Sequence, residues 1–229
     1  MRMDFEKLKN PGAEYRGKPF WAWNGALEED ELLRQVSFFK KMGLGGFHMH
    51  VRSGLSTPYL SDDFMHLIRS CTEQAKKEQM LAWLYDEDRW ASGAAGGLVT
   101  KDPAFRQRYI VATQTPREEN DRDRLLWVYD VQLDANDCLA SAERIGADDP
   151  AKGMKWYVYR EITKPTPWFN NQGYVDTLNK KAIDRFIEIP HERYLQTGGD
   201  EFGKTVPAIF TDEPQFASKQ TLSFARPND

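Results

Sequence analysis

Cysteine is scarce in this chain of 229 residues: Cys71 and Cys138 stand far apart and outside any Cys-x-x-Cys pattern. That excludes a disulfide framework and a thiolate metal site, and leaves two unpaired thiols as the expectation. Long apolar runs are missing too. No stretch approaches the ~18 residues of a membrane span, and Met1-Arg2-Met3-Asp4-Phe5-Glu6-Lys7 has no apolar signal core, so the sequence predicts a cytoplasmic protein without a membrane partner. Nor is there a block of one charge sign. The 31 Lys and Arg are interspersed with 35 Asp and Glu for a net charge of −4, which argues against a nucleic-acid surface and for a small or neutral partner.

What the chain does have is a core's worth of apolar residues, 40% of the total, and an aromatic content of 13%. Lys18-Pro19-Phe20-Trp21-Ala22-Trp23-Asn24-Gly25 reads as a short aromatic strand, and residues 28–42 follow with Leu32, Leu33, Val36, Phe39 and Met42 at helical spacing. After Gly43, Gly45 and Gly46, the run Phe47-His48-Met49-His50-Val51 reads as a second strand. Residues 61–79 read as a second helix, with Ser61 as N-cap and Asp62 and Asp63 in its first turn. Residues 80–85 form a third strand that runs into Asp86-Glu87-Asp88-Arg89-Trp90 and a glycine-rich loop over 92–97.

The periodicity then changes. Residues 108–115, 124–133 and 155–163 are β-rich segments joined by polar turns, which predicts an antiparallel insertion over 107–163. Helical patterning returns over 179–196. The apolar run Val206-Pro207-Ala208-Ile209-Phe210 follows, expected as a strand covered on both faces, and stops in Thr211-Asp212-Glu213-Pro214. Strands alternating with helices imply a parallel sheet with right-handed crossovers, so the expected class is α/β, of the eight-stranded (β/α) TIM-barrel type. Residues 1–106 and 164–229 supply four β/α units. A complete barrel needs about 250 residues before insertions, so the chain is expected to be the N-terminal half of a longer enzyme, prone to self-association through unpaired edges and an uncovered aromatic face.

Polar residues fall at all four predicted strand ends: Trp23 and Asn24, then His48, His50 and Arg52, then Asp86, Glu87 and Asp88, then Asp212 and Glu213. Parallel α/β sheets carry their chemistry at this rim. Sugar rings stack their C–H faces on indole while their hydroxyls need carboxylate, amide and imidazole partners, and Trp21, Trp23, Trp83, Tyr85 and Trp90 accompany these polar groups. Carbohydrate is therefore the expected partner. Strand alternation puts Trp21 with Trp23, and Trp83 with Tyr85, so one pair can equally be core. Asp86 and Asp88 can grip hydroxyls or brace the rim through Arg52 or Arg89. The glycines at 93, 96 and 97 fit neither nucleotide-binding fingerprint. His48-x-His50 also permits a divalent-metal hydrolase, but such a site needs further ligands and only His66 and His191 remain, both in predicted helices. A third alternative is a non-catalytic carbohydrate-binding module. No cofactor is expected.

Four segments together resemble bacterial glycoside hydrolases with a barrel core: residues 19–25, Gly46-Phe47-His48-Met49-His50-Val51-Arg52-Ser53-Gly54-Leu55, residues 83–93 and Phe210-Thr211-Asp212-Glu213-Pro214. They look related to the α-L-rhamnosidase family, and more distantly to retaining glycosidases whose acid/base glutamate ends strand four in an Asn-Glu-Pro motif. The resemblance spans most of 18–106 and 173–214 and none of the insertion. It implies that Glu213 is the general acid/base and that Asp212 is auxiliary where those families have asparagine; the rim residues Trp23, Asn24, His48, His50, Arg52, Asp86, Asp88 and Trp90 are the ones expected to bind substrate. The aspartate's charge would raise the proton affinity of Glu213. The resemblance places the second carboxylate that glycoside hydrolysis requires beyond residue 229, so no turnover is expected from these residues alone.

Overall fold

The computed structural model describes residues 5–117 and 124–215. Its described residues fall into two compact units: those up to Phe105 together with Pro165–Pro214, and Arg106–Lys164 with Gln215.

In the first unit a short helix, α1 (Phe5–Lys9), precedes strand β1 (Phe20–Gly25), helix α2 (Glu29–Lys41), strand β2 (Gly46–Leu55), helix α3 (Asp62–Lys77) and strand β3 (Leu81–Tyr85). Ser61 caps α3 by accepting a hydrogen bond from the Phe64 amide at 3.2 Å, with Asp62 and Asp63 against the positive end of the helix. The sheet is parallel. Phe20 pairs with His48, Ala22 with His50, His48 with Trp83 and Tyr85 with Phe210.

Alternation along these strands separates two faces. Trp21, Trp23, Phe47, Met49, Val51 and Leu84 are buried on the helical side, where Trp21 meets Phe39 of α2 edge-on at 5.3 Å and Trp23 meets Phe64 of α3 at 5.5 Å. The other face carries Phe20, His48, His50, Trp83 and Tyr85. Phe20 contacts His48 and His50 at 5.0 and 4.6 Å, and His50 stacks on Tyr85 at 4.0 Å.

The second unit is an antiparallel sheet of β4 (Arg108–Thr113), β5 (Leu125–Leu133), β6 (Leu139–Ile145) and β7 (Met154–Ile162), in the order β4-β7-β5-β6. Buried Glu161 forms ion pairs with Arg117 and Arg124, and Asp130 accepts the Lys152 and Gly153 amides at 2.8 Å each, closing the turn before β7. Strand β6 went unread in the sequence because its Leu139-Ala-Ser-Ala-Glu-Arg-Ile pattern is mostly exposed and poor in β-branched residues, as an edge strand allows.

Back in the first unit, the helical pattern over 179–196 resolves into α4 (Lys180–Phe186), a π-helical turn (Ile187–His191) that accommodates Pro190, and α5 (Glu192–Gly198). The final strand, β8 (Ile209–Phe210), lies beside β3 to complete the sheet order β1-β2-β3-β8. The expectation of a strand covered on both faces is corrected here. Only two residues have regular strand geometry, Pro207 lacks an N–H, and residues 208–210 are half-buried, as suits an edge strand. The β8 segment still accepts from β3: Ala82, Leu84 and Asp86 amides donate to the Thr205, Ala208 and Phe210 carbonyls at 2.9, 3.3 and 3.3 Å.

The sheet is concave on the aromatic side. Three strand spacings separate β1 from β8, about 14 Å in a flat sheet, yet the rings of Phe20 and Phe210 meet at 5.0 Å. The fold is thus mixed α/β, with a curved four-stranded parallel sheet and a separate antiparallel one. The barrel expected from the sequence is not closed by these strands.

Candidate functional site

All four parallel strands point their C-terminal ends to one rim, and the predicted site residues divide there into three groups. The first surrounds Asp86. Its carboxylate is 0% exposed, accepts from Ser92 Oγ and Thr211 Oγ1 at 2.6 Å each, and lies 3.1 Å from His191 Nε2. Ser92 Oγ in turn accepts the Asp212 amide at 2.9 Å. Asp86 is therefore a buried hub that ties the end of β3 to the end of β8 and to His191. Burial and three partners replace the open hydroxyl-gripping role expected of it. No sequence signal marked Ser92 or His191 as its partners, since His191 lies 105 residues away.

Asp212 sits half-buried with its Oδ2 accepting from Tyr85 Oη at 3.2 Å, while Glu213 is exposed. The carboxyl of Asp212 is pushed above its ordinary pKa, first by burial and then by the hydrogen bond and charge of Glu213, against the pull of the Tyr85 hydroxyl. Tyr85 is itself held by stacking on His50, and its carbonyl accepts the hydroxyl of Tyr194 from α5 at 2.9 Å.

The second group is Glu87 and its loop. Both carboxylate oxygens face backbone amides: Gly93, Ala94 and Ala95 donate to Oε2 at 3.0, 2.9 and 2.8 Å, Asp88 donates to Oε1 at 2.9 Å, and Gly96 donates to Oε1 as well. Burial pushes Glu87 up to about 8, opposed by the amides of Gly96, Asp88 and Ala95, which favour the ionised form. The glycine-rich loop is a backbone nest of the kind that holds anions, and it is filled by the chain's own Glu87 carboxyl group.

The third group lines a cleft of about 450 Å³ that includes Arg52, Thr57, Asp88, Arg89 and Asn170. Asp88 Oδ2 accepts from Arg89 Nη2 at 3.0 Å, Arg89 Nε at 3.3 Å and Asn170 Nδ2 at 2.8 Å. This is the rim-bracing alternative that the sequence left open. Trp90 packs edge-on against Trp168 at 5.5 Å, and both are partly exposed.

Trp23 requires a correction: expected to bind substrate, it is 1% exposed and lies among the helices on the far side of the sheet. Asn24 is exposed at the end of β1. His48 and His50 share the concave face, and burial lowers both pKa values, reinforced by the charge of Lys18 on the first and of Arg52 on the second. Burial thus favours the neutral form of each imidazole. Among the described residues no three His, Cys, Asp or Glu side chains come together as a metal-holding group, and His66 pairs with Glu29 at 3.2 Å instead of approaching the site. No helix among the described residues is long and apolar enough to cross a membrane.

Comparison with protein-family models found no match, and none was found among curated proteins. Among solved structures, the rhamnosidase from Novosphingobium sp. PP1Y is similar over 56% of this chain, with a TM-score of 0.40 and 18% identity. The chain spans about 12% of that protein's length.

Proposed function

We propose that this chain supplies one half of a TIM-barrel glycoside hydrolase domain, with Glu213 as general acid/base and Asp212 as its auxiliary. The observation that carries the reading is the concave parallel sheet. Its concave face is lined by Phe20, His48, His50, Trp83, Tyr85 and Phe210, and its C-terminal rim holds Asn24, Arg52 and the carboxylates of Asp212 and Glu213. An aromatic floor beneath neutral imidazoles and carboxylates suits a sugar, whose faces are apolar and whose edges are hydroxyls.

In this reading Glu213, exposed at the rim, reaches a leaving oxygen, and the Tyr85 hydroxyl and Ser92 fix the adjacent Asp212. A second carboxylate comes from strands that complete the barrel, as two-carboxylate hydrolysis requires. The substrate is a carbohydrate, with neither nucleic acid nor membrane as partner.

The test is Glu213→Gln in a polypeptide that includes the completing strands. Turnover of a substrate with a poor leaving group is expected to fall by about 10² to 10⁴, the usual contribution of a general acid, with little loss on an activated aryl glycoside. A fall of less than about tenfold on the poor leaving group removes Glu213 from that role.

A further inference from the structure

We propose that the cleft at the ends of β2 and β3 recognises the carboxylate of an acidic sugar, with Arg52 as the pairing guanidinium; this rests on the carbohydrate reading above. The cleft is locally positive in a chain of net charge −4: its charged lining is Arg52, Arg89 and Asp88. Asp88 is already engaged by Arg89 and Asn170, so the single carboxylate offers little to a ligand hydroxyl. Arg52, by contrast, is an exposed residue of the cleft lining and forms no hydrogen bond or ion pair with the described residues, so its guanidinium donors are not spent within the chain.

Thr57 adds to this one-sidedness. Its Oγ1 accepts the Leu27 amide at 3.1 Å, which leaves its O–H proton to be donated. A neutral sugar calls on donors and acceptors alike, whereas this cleft presents unused donors beside an engaged acceptor. The planar fork of Arg52 matches a carboxylate in bidentate geometry, and Leu55 and Leu98 supply an apolar wall for the C–H face of a ring. The volume of about 450 Å³ lies within the range of small-molecule sites.

The test titrates the full chain, at low salt, with D-glucuronate, D-glucose, glucose 6-phosphate and acetate, followed by amide chemical shifts and calorimetry. Glucuronate is expected to bind about tenfold or more tightly than glucose, as a charge-assisted pair provides, and to shift amides of residues 52–57, 59, 96–98 and 170. Arg52→Gln should abolish that advantage at an unchanged melting temperature, because the side chain is exposed, and Arg52→Lys should restore only part of it. Equal affinity for glucose and glucuronate, or no effect of Arg52→Gln, overturns the inference while leaving the carbohydrate reading intact. Acetate or glucose 6-phosphate matching glucuronate overturns the assignment to a sugar carboxylate. Absence of any sugar binding overturns this inference and counts against the reading beneath it.

Discussion

His48 and His50 sit on the concave face with their imidazoles partly or wholly withdrawn from water, and the consequence is a definite pH dependence. Their folded-state pKa values lie below the ordinary 6.5, with burial as the main cause. In the unfolded chain both protonate near 6.5. Below that pH the unfolded state binds protons the folded state refuses, so this pair's contribution to stability declines as pH falls toward the folded values. Glu87 and Asp212 are shifted upward and act in the opposite sense. The pair's effect is therefore read as a difference: between pH 7.5 and 5.5, melting of the native chain should fall relative to a His48→Gln/His50→Gln variant. Parallel melting curves for the two proteins would sink the claim that burial holds these imidazoles neutral.

At the scale of elements, the loop after β3 takes its shape from one side chain. Five amides, those of Asp88, Gly93, Ala94, Ala95 and Gly96, converge on Glu87. Removing that carboxylate orphans buried donors at about 1–3 kcal/mol each, less whatever water recovers. Glu87→Ala should cost about 3 kcal/mol or more in denaturant unfolding and speed hydrogen exchange of the 93–96 amides. Unchanged exchange there would mean that the loop holds itself. The elements themselves were largely legible. Helical spacing marked α2 and α3, Ser61 marked the start of α3, and the glycines before Phe47 marked the turn into β2. The Asp86 hub was not legible, because Ser92, His191 and Thr211 reach it across 6, 105 and 125 residues, and hydrogen bonds between distant segments leave no periodic trace. Alternation paired Trp21 with Trp23 but could not say which face met the helices. That depends on packing against Phe39 and Phe64.

At the scale of the whole molecule, the concave face of the first unit leaves Phe20 57% exposed, with Trp83 and Phe210 half-covered beside it, and among the described residues β1 and β8 each have one neighbour in the sheet. Apolar surface and open strand edges favour association. Sedimentation of this chain at tens of micromolar should give a mass above 26.5 kDa, falling toward it on dilution, and Phe20→Lys should shift the equilibrium toward the monomer. A monodisperse monomer across that range would show that curvature alone shields the face.

The division of tryptophans between the two faces of the parallel sheet has an optical consequence. Trp21 and Trp23 are sealed against the helices, whereas Trp83 stands on the concave side with its ring 4.9 Å from the imidazole of His48. Emission from the first two reports whether the core is intact, while that from Trp83 responds to what enters the hollow and to the charge on its imidazole neighbour. The sheet thus carries an intrinsic fluorophore for each of its two environments.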